Sequence, residues 1–365
     1  MNVGILTFHA SHNYGSMLQA YAMQTILANN GIDSVIINYR SDVQKSLIPP
    51  PLDWKHPRSS LRKLISDPFR TISLIRKYKR FEHFIHKDLN VTDELSTPEA
   101  VAQHISINHY DAIITGSDQI WNPGCWDFST VYLCDFAFDG KRIAYAPSMG
   151  SYPEGIPKDE LDLIIGLAAQ YSALSTREKR GSDFLSHRLD QKVEVVIDPT
   201  LLLKAEDYDS ITSEKLIDRP YILYYTPREE KGTFYSALAL SDKLGLDIVV
   251  TQDFEDYDGH DNVIHLLDCG PNEFLSLIKN ASYCIGNSFH LLAFSLIFHK
   301  EFILLSHEQD SRMMNLLEPI ELMSRLQSPT NNIQLQNKIR YSKINEIMDS
   351  MAHNSICFLT NAINS

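Results

Sequence analysis

Two periodicities alternate along this chain. Short, dense apolar runs read as buried strands at Val3–Phe8, Ser34–Asn38, Ala112–Thr115, Arg142–Ala146, Ala173–Ser175 and Val193–Ile197. Between them apolar residues recur every three or four positions, the spacing of a helix with one buried face. Ser16–Asn29 is such a stretch and stops at Asn30-Gly31. Thr97–Ile105 is another, with Thr97 as cap and Pro98 in the first helical position, and Asp159–Tyr171 a third. Ser41–Pro57, which carries Pro49-Pro50-Pro51, reads as a loop leading into two basic helices. After Leu203–Arg219 the alternation starts again. Strands at Tyr221–Tyr225, Asp247–Val250, Val263–His265, Tyr283–Ile285 and Phe302–Leu305 interleave with helices at Gly232–Leu244, Pro271–Lys279 and Leu291–His299. Ile333–Ile363 reads as helical.

Strands alternating with helices imply parallel sheets covered on both faces. The expected fold is therefore α/β, with two doubly wound Rossmann-like domains facing each other across a cleft. The boundaries fall at 1–205, read as the acceptor side, and 215–332, read as the donor side. A C-terminal helix in 333–365 packs back on the first domain. In such sheets ligands sit in the crevice at the carboxyl ends of the strands.

At 365 residues the chain is too long for one ordinary core. It has 44% hydrophobic and 22% charged residues, as water-soluble globular proteins do. No apolar run is long enough to span a bilayer, and the opening VGILTF shows no signal-peptide pattern, so a cytoplasmic location is expected. The five cysteines are scattered and never spaced CxxC, which fits a reducing compartment and argues against structural zinc. A net charge of −13 disfavours nucleic acid. Within this acidic chain, Lys55 to Lys87 holds ten basic and two acidic residues, with apolar residues at helical spacing. Such a segment suits peripheral contact with an anionic membrane at the inner face, or two packed helices with a solvated basic side.

His290 follows the Tyr283–Ile285 strand and the polar turn Gly286-Asn287-Ser288, at the start of a helix apolar nearly all round. The first turn of a helix offers unpaired N–H groups to an anion, with the imidazole beside it. In the loop His9–Ser16, Gly15 permits close backbone approach, and the N–H groups of Ser16 and Met17 could cradle an anion. Asn13, Tyr14 and Gln19 read as cleft residues there. Ser117, Asp118, Gln119, Trp121 and Asn122 follow a buried strand and supply a carboxylate with hydrogen-bonding and stacking groups. Arg177 follows another strand end, where a guanidinium can hold a carboxylate or phosphate. Each position also has a purely structural reading: a capped turn, Trp121 in the core, or Arg177 paired with Glu178. Asp198-Pro199-Thr200 reads as a strand end that fixes the interdomain linker. Two D-x-D spacings, at Asp207 and Asp256, read as surface loops, and no metal site is expected.

Taken in order, VGILTFHASHNYG with Leu18-Gln19-Ala20, DAIITGSDQIWN from Asp111, LSTRE from Leu174, IDPT from Ile197 and the Ala281–Leu304 segment resemble the polysaccharide pyruvyl transferase family. The resemblance implies a glycosyltransferase-B-like fold. It also implies transfer of pyruvate from phosphoenolpyruvate, a donor substrate with no further cofactor, to hydroxyls of a lipid-linked glycan during surface polysaccharide synthesis. In that reading His290 is the general acid or the phosphate ligand, and Arg177 the anion clamp. Asp118 activates the acceptor hydroxyl, while Asn287 and Ser288 line the donor turn. Many family members carry arginine two residues before the histidine, where this chain has Ser288, and glycine just after it, where this chain has Leu291. Another cation must then hold the donor: Arg177 first, Lys300 and Arg312 after it. Two other readings of the same residues are a nucleotide-sugar glycosyltransferase and a non-catalytic glycan-binding protein.

Overall fold

The computed structural model describes residues 1–52, 57–150, 153–228, 230, 232–306, 310–330 and 332–365. Among these residues the strands form two six-stranded sheets, parallel throughout. The first contains β1 (Asn2–Leu6), β2 (Asp33–Ile36), β3 (Ala112–Thr115), β4 (Lys141–Ala144), β5 (Ala173–Thr176) and β6 (Glu194–Val195), in the order 2-1-3-4-5-6. The second contains β7 (Tyr221–Tyr225), β8 (Asp247–Val250), β9 (Val263–His265), β10 (Tyr283–Gly286), β11 (Glu301–Leu305) and β12 (Leu326–Gln327), in the order 12-11-10-7-8-9. The chain reverses its direction of travel between β1 and β3 in the first sheet, and between β7 and β10 in the second. The expected pair of doubly wound domains is what the sequence forms.

The helices in chain order are α1 (Tyr14–Asn29), α2 (Asp42–Leu47), α3 (Pro57–Ser66), α4 (Pro68–Lys87), α5 (Pro98–Asn108), α6 (Lys158–Ala168), α7 (Lys179–Leu189), α8 (Thr233–Leu244), α9 (Pro271–Asn280), α10 (Phe289–Ile297), α11 (Ser311–Leu317) and α12 (Tyr341–Asn364). Local chemistry sets several of their starts. Asn13 caps α1 by accepting from the N–H groups of Gly15 and Ser16. Asp67 caps α4 with Pro68 in its first turn, Thr97 caps α5, and Ser288 caps α10. From Phe289 to Leu296 every residue of α10 is buried, so the helix cannot shift without disturbing the core.

Five elements depart from the sequence reading. The loop expected over Ser41–Pro57 contains α2, started by Ser41, whose Oγ accepts the Gln44 N–H. α7, α11 and β12 lie where no element was expected. The helix expected from Ile333 begins at Tyr341. The residues before it are drawn along the second domain, where Arg325 donates to the Asn337 carbonyl and the Ile339 N–H donates to Glu301. α12 then returns to the first domain: the Ile197 N–H donates to Ser355, and Lys141 donates to the Ile363 carbonyl.

An apolar seam joins the two domains. Tyr14 stacks on Phe274 at 4.2 Å and donates its hydroxyl to the Cys269 carbonyl at 3.0 Å. α4 spans the same seam with its cations. Arg70 pairs with Asp253, Lys77 donates to the Thr251 carbonyl and Gln252, and Arg80 meets Asp268 and Glu273. Three of the basic residues in Lys55–Lys87 are thus engaged between domains rather than solvated, while Lys55 lies outside the described residues. Among the described residues no helix is long and apolar enough to cross a membrane.

Candidate active site

The two points of chain reversal face each other, and a cavity of about 410 Å³ lies between them. Its walls come from the ends of β1 (Asn13, Ser16), β3 (Asp118, Gln119, Asn122, Cys125), β7 (Arg228, Glu230) and β10 (Asn287, Ser288, His290), with Arg312 entering after β11. This is where a doubly wound fold places a ligand.

His290 sits in the first turn of α10 with its ring against the backbone of Gly15. A methyl group built on Gly15 would fall 2.0 Å from the imidazole Nδ1, so only glycine admits the ring here. The other nitrogen, Nε2, is buried without a hydrogen-bond partner and lies 3.7 Å from Asp198 Oδ2. Asp198 is fully buried. Its Oδ1 accepts from the Thr200 N–H at 3.0 Å and hydroxyl at 2.8 Å, and its Oδ2 from Arg177 Nη1 at 2.9 Å and Ser117 Oγ at 3.0 Å. Burial alone would push this carboxyl up. The neighbouring His290 and Arg177 and the Thr200 N–H outweigh it and hold the group well below the usual carboxylate range.

Arg177 is buried, with its guanidinium over the Phe289 ring at 4.6 Å from the centroid. Its Nη2 makes no hydrogen bond and stands 4.0 Å from Asp118 Oδ1. Arg177 opens on a smaller cavity of about 130 Å³, which shares Phe289 and Arg312 with the cleft. Arg312 is itself held by Asp310 through two contacts, at 3.0 and 2.6 Å. Asp118 has φ +70°, an unusual conformation for a side-chain-bearing residue. Its carboxylate accepts from Ser16 Oγ at 2.5 Å and from the Gln119 N–H at 2.9 Å. Asn287 donates to Glu230, while its Oδ1 is buried and unpartnered. Burial, with Asp118 and Asp127 adding to it, pushes the Cys125 thiol up to about 12, so the cleft cysteine is protonated at neutral pH and a poor nucleophile.

The structure brings Asn13, Asp118, Gln119, Asn122, Asn287, Ser288 and His290 to the cleft, with Gly15 beneath His290 and Arg177 just behind. Four residues read as substrate contacts are elsewhere. Trp121 is fully buried and donates to the Tyr132 carbonyl, and Tyr14 is locked in the domain seam. Gln19 is fully buried: its amide donates to Thr7 Oγ1 and the Ser16 carbonyl, and its oxygen accepts the Ser117 N–H. Ser117, also fully buried, supports Asp198 rather than a ligand. The cradle proposed at Ser16 and Met17 is filled by Asn13, whose side chain accepts from Gly15 and Ser16 and whose carbonyl accepts from Met17. Lys300 does not line the cleft.

Sequence reasoning missed Asp198 as a site residue, because Asp198-Pro199-Thr200 was already explained as a strand end that fixes the interdomain linker. It also missed Arg228 and Glu230. The position of both just past a strand end at a reversal point was the signal available.

A cleft between two doubly wound domains, walled by strand-end loops and holding buried arginine, histidine and carboxylates, defines an enzyme of glycosyltransferase-B-like architecture. The family model described as polysaccharide pyruvyl transferase matches residues 13–309, and the chain belongs to that family of transferases. Among solved structures it is similar to UDP-GlcNAc 2-epimerase from Methanocaldococcus jannaschii: 13% identity, 98% of this chain and 92% of that one, TM-score 0.53. It is also similar to UDP-GlcNAc 2-epimerase from Neisseria meningitidis bound to UDP-GlcNAc: 11% identity, 100% and 99% coverage, TM-score 0.52. The UDP-N-acetylglucosamine 2-epimerase from Rickettsia bellii gives 10%, 100%, 96% and 0.52 in the same measures. At these identities the likeness concerns the fold. No curated protein matches the sequence.

Proposed function

We propose that this transferase moves pyruvate from phosphoenolpyruvate to two hydroxyls of a lipid-linked glycan, forming a pyruvate ketal in a surface polysaccharide. The observation that carries the reading is a pair of unfilled buried donors, Arg177 Nη2 and His290 Nε2, set over one buried carboxylate at the back of the cleft of a pyruvyl transferase family member.

In the proposed reaction a proton adds to the methylene carbon of phosphoenolpyruvate, leaving an oxocarbenium centre at C2. One acceptor hydroxyl oxygen bonds to C2 and loses its proton. The C2–O bond to phosphate breaks, inorganic phosphate leaves, and the second hydroxyl closes the ketal and loses its proton. His290 supplies the first proton, with the Asp198 carboxylate stabilising the imidazolium that donates it. Arg177 and Arg312 bind the donor's carboxylate and phosphate. Asp118, at the cleft wall, takes a proton from the acceptor.

Thermal unfolding with phosphoenolpyruvate, against a panel of nucleotide sugars, is the test. A ligand at a hundred times its dissociation constant adds about 2.7 kcal/mol to the folded state. Stabilisation by phosphoenolpyruvate that is lost in Arg177→Ala supports the reading, and stabilisation by nucleotide sugars alone refutes it. His290→Gln keeps a hydrogen-bond donor but cannot carry a proton. It should retain donor binding and lower turnover by about 10²–10⁴-fold; near-normal turnover would assign His290 to phosphate binding.

A further inference from the structure

The hairpin of α3 and α4 carries a face that the cleft does not use. On α3, Arg58, Leu61, Arg62 and Ile65 recur at helical spacing and all are exposed. On α4 the exposed stripe runs Phe69, Ile72, Arg76 and Lys79. Other faces of α4 are occupied: Phe81, Phe84 and Ile85 are in the core, and Arg70, Lys77 and Arg80 hold the second domain. The four large apolar side chains lie around the bend at Asp67-Pro68. Leu61 is 57% exposed, Ile65 73%, Phe69 84% and Ile72 41%. Single exposed apolar residues are ordinary, but four on one helical hairpin, with Arg58 and Arg62 on one flank and Arg76 and Lys79 on the other, are not. Of the carboxylates near Arg70, Asp67 accepts the Arg70 N–H and Asp253 pairs with the Arg70 guanidinium, while Asp258 is exposed beside them.

We propose that this hairpin docks the protein on an anionic lipid membrane. The apolar side chains at the bend enter the headgroup boundary, and the flanking arginines and lysines meet lipid phosphates. Charge complementarity selects this occupant. The chain as a whole is acidic, at −13, so a local cationic ridge marks a surface for an anionic partner. A second copy meeting this face symmetrically would set the same cations against each other. The inference does not depend on which donor the cleft takes.

Vesicle flotation of the full chain tests it, with neutral phosphatidylcholine vesicles and with vesicles containing phosphatidylglycerol. Binding should require the anionic lipid and fall as salt rises. Arg62→Gln with Arg76→Gln should weaken partitioning about 25-fold, taking about fivefold per cation. Phe69→Ser should weaken it by about tenfold or more. These side chains are exposed, so the melting temperatures of the variants should match the parent's and exclude misfolding as the cause. Equal binding to neutral vesicles, binding to neither kind, or variants that bind like the parent would overturn the proposal. So would a concentration-dependent dimer that Phe69→Ser abolishes, which would assign the face to self-association.

Discussion

Replacing Gly15 with alanine is the smallest change that interrogates the cleft. The added methyl would stand 2.0 Å from His290 Nδ1, 2.2 Å from its Cγ and 2.7 Å from its Cβ. Ordinary carbon contacts lie at about 3.5–4.0 Å, so ring and backbone must separate by more than about 1 Å. α10 is buried along its length and cannot absorb that shift, which leaves the imidazole to rotate or α1 to move. Overpacking of this kind costs about 1–3 kcal/mol. Alanine's better helix propensity, about 1 kcal/mol over glycine, opposes it and makes any net loss of stability more telling. A reacting group displaced by about 1 Å loses about a hundredfold in rate. The assays are phosphate release and thermal unfolding. The decisive control is a double-mutant cycle, because His290→Ala removes Nδ1 and Cγ and leaves only Cβ in conflict. Gly15→Ala should therefore cost much less in the His290→Ala background than in the parent. Additive costs in the two backgrounds, or a Gly15→Ala protein with parental rate and melting temperature, would refute the packing of His290 on Gly15.

Three further outcomes follow from the same structure. Asp198→Asn leaves the Arg177 charge buried without its carboxylate and should destabilise by about 3–5 kcal/mol, read by urea unfolding; a loss below about 1 kcal/mol would contradict the network. Glu82 is raised by its burial, but hydrogen bonds from His12 and Arg40 prevail and lower it to about 2, so its stabilising contribution is present above the ordinary carboxyl value of about 4.3 and fades as pH falls from there to about 2. An acid-unfolding curve should flatten across that window in Glu82→Gln, and an unchanged curve would remove Glu82 from the account. Trp121→Ala should cost about 3–5 kcal/mol of stability while leaving donor-induced stabilisation intact; weakened ligand binding with parental stability would return Trp121 to the site.

Hydrophobic period reported the long elements because each buries a row of large side chains. α7 was invisible for the opposite reason. Its first turns set the small Gly181 and Ser182 against the core, Gly181 on Thr176, and only Phe184, Leu185 and Leu189 carry an apolar period, too short to stand out. α11 spans seven residues and β12 two, too short for any period to show. Within the site, the sequence identified the loops but not the direction of their side chains. Ser117 and Asp118 are adjacent, yet Ser117 points back to Asp198 and Asp118 lines the cleft. The positive φ of Asp118 and of Gly116 before it produces that reversal, and residue order alone does not reveal it. The two readings of the basic segment could not be assigned to faces from residue order either, since its cations divide by helical face between the domain seam and solvent.

The placement of charge in the cleft bears on Ser288. The family's usual arginine would occupy the position that here caps α10, where Ser288 Oγ accepts the Leu291 N–H. A serine cap stabilises a helix by about 1 kcal/mol relative to a residue that cannot cap. That benefit goes to the helix that fixes His290. The cation lost from this position is matched by Arg312, which enters the same cavity from the segment after β11 and is locked by Asp310. The two arginines then approach from different domains: Arg177 is anchored on Asp198 of the first and Arg312 on Asp310 of the second. An anion bridging them would also bridge the domains. In the proposed reaction the donor therefore spans the halves of the cleft that hold His290 and Asp118, and a donor bearing only one anionic group would lack one of the two contacts.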